Sequence, residues 1–107
     1  MKHVIGDNTY EFSTKLGTTV KISKAFKRKY NDIVKRLGTM EVDDMIKFLH
    51  CALIGDVELE EFTEDIYENI GLGDVAEMLM ELVKRIQYPN LTIEEIDEKM
   101  EEIEKNA

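Results

Sequence analysis

The chain has 107 residues, of which 43% are hydrophobic and 35% are charged, and it contains one proline and one cysteine. This length suits a single domain, and the hydrophobic share excludes an intrinsically disordered chain. Because no run of about 18 apolar residues could cross a bilayer and residues 1–6 lack the apolar stretch of a signal peptide, we expect a cytoplasmic protein, with Cys51 unpaired in a reducing compartment.

The charge is unevenly distributed along the chain. Residues 1–36 contain nine basic and three acidic residues, whereas the remainder contains five basic and twenty acidic residues, so the net charge is −9. We expect the two parts to attract each other or to face different partners.

A short β-hairpin is predicted within residues 1–17. Val4 and Ile5 precede a Gly-Asp-Asn turn, and residues 9–12 follow it with Tyr and Phe, which suit strands. Glycine and asparagine tolerate the positive φ that tight turns need. Since an isolated two-stranded ribbon is marginally stable in water, we expect it to pack on helices.

The first helix of a predicted helical core (residues 18–88) is capped by Thr18 or Thr19 and ends at Gly38. Its apolar residues recur every three or four positions, which is typical of one continuous amphipathic helix. Its predicted buried face consists of Ile22, Phe26, Tyr30, Ile33, Val34 and Leu37.

The outer side of this helix is rich in lysine and arginine. We call it the basic face and define it as Lys24, Lys27, Arg28, Lys29, Lys35 and Arg36. It could be solvated, paired inside the molecule, or a contact for an acidic protein partner. A DNA-binding helix-turn-helix is disfavoured, because the next helix would bring Asp43 and Asp44 to phosphate.

Two further helices are predicted before residue 72. One follows Thr39, ends at Gly55 and is nearly all apolar over residues 48–54, which makes it the candidate central helix of the core. The next covers about residues 58–69, with Gly71 in the position after its C-cap.

The last two predicted helices have clear boundaries. One starts at Asp74 and cannot continue past Pro89, and the other (residues 91–105) opens with a Thr92 to Glu95 capping box. In this final helix, apolar residues spaced by three and four form a narrow seam that docks on one neighbour or waits for a partner. The seam consists of Ile93, Ile96, Met100 and Ile103.

The sequence shows no catalytic or metal-binding motif. His50 and Cys51 are adjacent, but neighbouring side chains on a helix point about 100° apart, so a Cys/His nucleophile is disfavoured against a core role. His3 is the only other histidine, too few for a structural zinc site. We therefore expect no enzyme, no metal and no cofactor.

Three segments carry a family resemblance. Residues 6–12 have the form Gly-Asp-x-x-Tyr-x-Phe, residues 48–54 read Phe-Leu-His-Cys-Ala-Leu-Ile, and residues 59–66 open with Leu-Glu-Glu-Phe. Together with the amphipathic first helix, they make residues 4–83 similar to the tail assembly chaperones of long-tailed phages and prophages of Gram-positive bacteria.

This resemblance implies a non-catalytic helical protein with a small β ribbon. Such a protein coats the tape measure protein and keeps it soluble until tail tube protein, a second expected partner, polymerises around it. Met80 lies off the main apolar stripe of its helix, so we expect it to be exposed and to join the seam in binding. The expected contact surface is Met80, Ile93, Ile96, Met100 and Ile103.

Two alternatives to the chaperone remain. The chain could be a small dimeric helical adaptor or transcriptional regulator that pairs through its last helix, or a nucleic-acid binder that uses the basic face. The dimer predicts a concentration-dependent mass without a client, and the nucleic-acid binder predicts strongly salt-dependent DNA affinity.

Overall fold

A two-stranded ribbon precedes six α-helices in the described part of the chain, so the predicted mainly helical fold with a packed N-terminal hairpin is confirmed. The computed structural model describes residues 1–105, and side chains through residue 103. In chain order the elements are β1 (Lys2–Ile5), β2 (Asn8–Glu11), α1 (Gly17–Phe26), α2 (Tyr30–Lys35), a 3-10 turn (Leu37–Thr39), α3 (Val42–Ala52), α4 (Leu59–Asn69), α5 (Leu72–Gln87) and α6 (Ile93–Lys105).

The antiparallel ribbon turns at residues 6–7, and its register pairs Ile5 with Asn8. Gly6 has a φ of 61°, and a Cβ on it would lie 2.7 Å from the side-chain nitrogen of Asn69. Both the turn and the close approach of α4 therefore require glycine here. Ile5, Tyr10 and Phe12 point inward and are buried.

The prediction of one continuous first helix is wrong, because the chain breaks between α1 and α2. Lys27 adopts a left-handed conformation with a φ of 54°. Arg28 N–H donates to Ser23 O at 3.2 Å, and Ser23 Oγ donates to Arg28 O at 2.5 Å, which closes the end of α1. As a result, Phe26 and Tyr30 both lie with their ring centroids 6.3 Å from that of Phe48.

The predicted threonine cap of the first helix is also wrong, since α1 begins at Gly17 without a side-chain cap. Thr18 is buried, and its hydroxyl donates to Ser13 Oγ at 3.0 Å. Thr19 donates to Leu16 O at 2.7 Å. Both hydroxyls therefore bond to the segment that precedes α1.

Helix α3 forms the centre of the core, as predicted, and lies against α1, α4 and α5. It ends at Ala52, earlier than the predicted Gly55, which lies in the following loop with a φ of 101°. The largest fully buried side chains come from β1, from the residue after β2 and from every α-helix except α2: Phe12, Phe48, Phe62, Ile5, Ile22, Ile46, Leu49, Ile66, Leu79, Leu82, Ile96 and Val75.

The junction between α4 and α5 differs from its prediction. Gly71 has a φ of −97°, so it is the N-cap of α5 instead of a left-handed residue that ends α4. Helix α5 begins at Leu72, before the predicted Asp74, whose carboxylate accepts a hydrogen bond from Gly71 N–H at 3.0 Å. Two helices thus meet in a tight corner, because one carboxylate satisfies a free amide.

The end of α5 and the start of α6 lie where the sequence predicted them. Helix α5 ends at Gln87, two residues before Pro89. Glu95 N–H donates to Thr92 Oγ1 at 3.1 Å, and Thr92 N–H donates to Glu95 Oε1 at 3.3 Å, which is the reciprocal capping box. No helix in residues 1–105 is long and apolar enough to span a membrane.

Candidate partner-binding surface

A groove of about 390 Å³ lies along α5 where the start of α6 meets it. The opposite side of α5 carries the apolar stripe that fills the core, so this groove follows the helix face that points away from α3. We call it the α5–α6 groove, and its lining residues are Ala76, Glu77, Met80, Glu81, Lys84 and Ile93.

Two of the five predicted contact residues, Met80 and Ile93, lie together in the α5–α6 groove. Met80 is 46% exposed and lines the groove together with the half-buried Ile93. Met100 and Ile103 are 37% and 53% exposed. These four residues are accessible to a partner.

Ile96 corrects the predicted contact surface, because its side chain has no exposed area. It is packed inside the molecule as the anchor of α6 and is not accessible to a partner. Residues 96, 100 and 103 lie on one helix face, since they are spaced by four and three. That face is covered at Ile96 and open at Met100 and Ile103, so α6 both docks and presents an apolar surface.

Ion pairs hold the polar rim of the groove in place. Glu81 accepts hydrogen bonds from His3 and Arg85, both at 2.9 Å, and thereby connects β1 to α5. Lys84 Nζ lies 2.7 Å from Asp97 Oδ1 and connects α5 to α6. The rim is therefore ordered before any partner binds, which lowers the entropy cost of binding.

The basic face is exposed at all six positions. Within the part of the chain whose side chains are described, none of the six lies within 4.0 Å of a carboxylate oxygen. The structure therefore contradicts the interpretation that the basic face is paired inside the molecule. The face is solvated and available to an acidic partner.

His50 and Cys51 are both half-buried near the end of α3. His50 Nε2 donates to Val57 O at 2.6 Å, which uses the ring to hold the loop after α3. Burial raises the pKa of the half-buried Cys51 thiol, and this disfavours the thiolate that nucleophilic chemistry needs. Among the described residues there is no group of three or more His, Cys, Asp or Glu side chains that could hold a metal ion.

Comparison of the chain with protein families, with curated proteins and with solved structures finds no match.

A second, larger groove was not predicted from the sequence. It has a volume of about 530 Å³ and lies between β2 and α4, and we call it the β2–α4 groove. The available signal was the spacing of Glu61, Glu64, Asp65 and Glu68, which places four carboxylates on one side of a helix. Its lining residues are Asn8, Thr9, Tyr10, Glu11, Ile54, Val57, Glu61, Glu64, Asp65 and Glu68.

One carboxylate of this groove is held by the hairpin. Tyr10 Oη donates to Asp65 Oδ2 at 2.5 Å, and Asn8 Nδ2 donates to the same oxygen at 3.0 Å. These hydrogen bonds, that from Tyr10 first, lower the pKa of Asp65. Burial, followed by the bond to Asp65, raises the pKa of Tyr10 to about 12. Asp65 therefore has a structural role, whereas Glu61, Glu64 and Glu68 are exposed in the groove.

Proposed function

We propose that the protein is a non-catalytic chaperone that holds an amphipathic helical segment of a client protein. The observation that carries this proposal is the exposure of Met80, which lines the α5–α6 groove with Ile93, and of Met100 and Ile103, which lie farther along the same face of α6. Exposed large apolar side chains grouped at one surface favour protein binding. A helix is the expected guest, since helices present apolar residues at spacings of three and four.

The chemistry of the groove supports a client that varies along its length. Methionine is unbranched and polarisable, so Met80 and Met100 adapt to different guest side chains. The surroundings are acidic, with Glu77 in the groove and Glu94, Glu95 and Glu98 on α6. A guest helix with an apolar stripe flanked by lysine or arginine therefore fits best.

The identity of the client comes from the sequence resemblance to tail assembly chaperones. On this proposal the client is the tape measure protein, whose apolar seams the α5–α6 groove covers until tail tube protein polymerises around it. Modest affinity suits this role, since the tube protein must displace the chaperone. Each groove covers a short stretch of client, so several copies act along one client chain.

The decisive experiment is an affinity pull-down of the tagged full chain from its native bacterium under prophage-inducing conditions, followed by mass spectrometry. We expect capture of a very long helical tail protein. The double variant Met80→Glu/Ile103→Glu should lose this capture, because it places charge on the apolar surface. Leu16→Glu is the matched control, since Leu16 is 78% exposed and lies outside the groove.

Retention of only the bait itself, or of DNA, would contradict the chaperone proposal. The second candidate, a dimeric helical adaptor or regulator, is favoured by the same open seam at Met100 and Ile103. In that case light scattering of the purified protein would show a mass that rises with concentration, and Ile103→Glu would abolish the rise.

A further inference from the structure

The second strand of the ribbon has a partly open edge. In an antiparallel pair, residues alternate between those that bond to the partner strand and those whose N–H and C=O point away from it. Phe12 bonds to Met1 in both directions, at 2.7 and 3.1 Å, so with the observed register Thr9 and Glu11 point away from β1. Their backbone groups form the outer edge of β2.

One end of this edge is already paired within the chain. Ser13 N–H donates to Ala52 O at 2.7 Å, and Ile54 N–H donates to Glu11 O at 2.9 Å, so residues 52–54 act as a short third strand. The chain then turns away at Gly55, whose φ is 101°. In the described part of the chain, Glu11 N–H and both backbone groups of Thr9 have no backbone partner.

The open edge forms one wall of the β2–α4 groove, and carboxylates form the other. Glu61, Glu64 and Glu68 are exposed, and none lies within 4.0 Å of a described basic group. Ile54 and Val57 line the groove where the third strand stops. The groove therefore combines free strand hydrogen bonds, an apolar end and uncompensated negative charge.

We infer that the β2–α4 groove binds an extended basic segment of a partner protein, which continues the line of residues 52–54 and adds a strand to β2 at Thr9, since Ile54 already lies opposite Glu11. Strand addition at an open edge is a common mode of peptide recognition, in which alternate side chains determine specificity. Here alternate residues of the guest face α4. Lysine or arginine at those positions meets the three glutamates.

The spacings of the two partners agree. Alternate residues of a strand lie about 6.7 Å apart, and successive turns of a helix lie about 5.4 Å apart. The long, flexible side chains of lysine and arginine accommodate this difference. A guest segment with a basic residue at every second position, separated by β-branched residues, is thus the expected ligand.

The first test is a titration of the isotope-labelled full chain with a blocked peptide that alternates lysine and valine, followed by amide chemical shifts at low ionic strength. We expect the largest shift at the Thr9 amide. A peptide of the same composition with N-methylated alternate amides should not bind. Absence of a shift at Thr9 at millimolar peptide, or equal shifts along α6, would overturn the inference.

A pair of proline variants tests the strand edge directly. Thr9→Pro removes a donor that points into the groove and leaves the β1–β2 hydrogen bonds intact, so peptide affinity should fall about three- to tenfold. Val4→Pro is the matched control, because Val4 pairs with Thr9 and its N–H points to the opposite edge. Equal affinity of the two variants would overturn strand addition.

The charge contribution is tested without altering the backbone. Glu64→Gln/Glu68→Gln should weaken the peptide about three- to tenfold and reduce the dependence of its affinity on salt. Glu94→Gln/Glu98→Gln on α6 makes the same change in net charge and should leave affinity unchanged. An unchanged affinity in the α4 double variant would overturn the role of the glutamates.

This inference is independent of the proposed chaperone function, because the two grooves share no lining residue. Met80→Glu/Ile103→Glu should leave peptide binding intact, and Thr9→Pro should leave capture of the helical client intact. Failure of one proposal is therefore distinguishable from failure of the other.

Discussion

The hydroxyl of Tyr10 connects the hairpin to α4 through Asp65, a residue 55 positions away in the chain. Asp65 also accepts hydrogen bonds from Asn8 and Asn69, so one carboxylate binds two side chains of β2 and one of α4. Because a two-stranded ribbon is marginal by itself, such anchors help to decide whether it stays folded.

Tyr10→Phe removes this anchor without changing the buried ring. We expect the free energy of unfolding to fall by about 1–2 kcal/mol, because a hydrogen bond to a charged acceptor is lost, as measured by urea denaturation. Tyr67→Phe is the control, since the Tyr67 hydroxyl also donates to a carboxylate, that of Asp43, but at an exposed position. Equal losses in the two variants would contradict a special role for Tyr10.

The pH dependence of this contribution follows from the two pKa shifts. The pKa of Asp65 is lowered, so its contribution is present above its unfolded pKa, near 4, and is lost as pH falls through the folded pKa. The pKa of Tyr10 is raised from 10.0 to about 12, so its contribution is complete below pH 10 and is lost as pH rises through 12.

Accordingly, the stability difference between the natural chain and Tyr10→Phe should be constant between about pH 5 and 9 and should shrink on both sides. Urea titrations at a series of pH values measure it. A difference that stays constant or grows above pH 10 would show that the Tyr10 pKa is not raised.

Among the elements, the break between α1 and α2 depends on one residue in an unfavourable conformation. Lys27 has a φ of 54°, where a side chain costs about 1 kcal/mol relative to glycine. Lys27→Gly should therefore stabilise the protein by about 0.5–1 kcal/mol in urea denaturation. Lys24→Gly, inside α1, should instead destabilise it by about 1 kcal/mol. Destabilisation by both would indicate that residue 27 is helical in solution.

Helix α6 is attached to the molecule mainly through Ile96 and the Lys84–Asp97 ion pair. Ile96→Ala should cost about 2–4 kcal/mol at its docking site, because it leaves a cavity against α5. Since the main contact of α6 is with α5, the loss should be local, with faster amide hydrogen exchange in α6 and unchanged exchange in α3. Ile103→Ala, at an exposed position, should not measurably change the stability of α6 docking or its amide hydrogen exchange.

Over the whole molecule, positive charge collects on α1 and α2 and negative charge on α4 and α6. The basic face has no described ion pair, so it contributes little to folding. Reversal of Lys27, Arg28 and Lys29 to glutamate should change the free energy of unfolding by less than about 1 kcal/mol, measured by urea denaturation. Failure of this variant to fold would mean that the face is paired internally.

The same variant bears on function, because a basic face that binds an acidic partner would lose that partner while the fold persists. The two grooves described above are acidic at their rims and should be unaffected. The molecule therefore offers three surfaces whose roles are separable by substitution.

Local patterns in the sequence were sufficient for most elements of the fold. The hairpin turn at residues 6–7, the end of α5 before Pro89 and the Thr92 cap all depend on residues within about four positions of one another. The helical periodicity identified α3 and α5 correctly as core helices. The exposure of Met80 was also correct, because its position off the apolar stripe is a local property.

Tertiary structure decided what the local pattern left open. Lys27 is left-handed and breaks the helix, yet Phe26 before the break and Tyr30 after it both lie against Phe48 of α3. Ile96, Met100 and Ile103 share one helix face, yet only Ile96 of the three is buried. The sequence by itself determined where helices form and which sides are apolar, and packing between distant segments decided which apolar residues and which strand edge stay open to a partner.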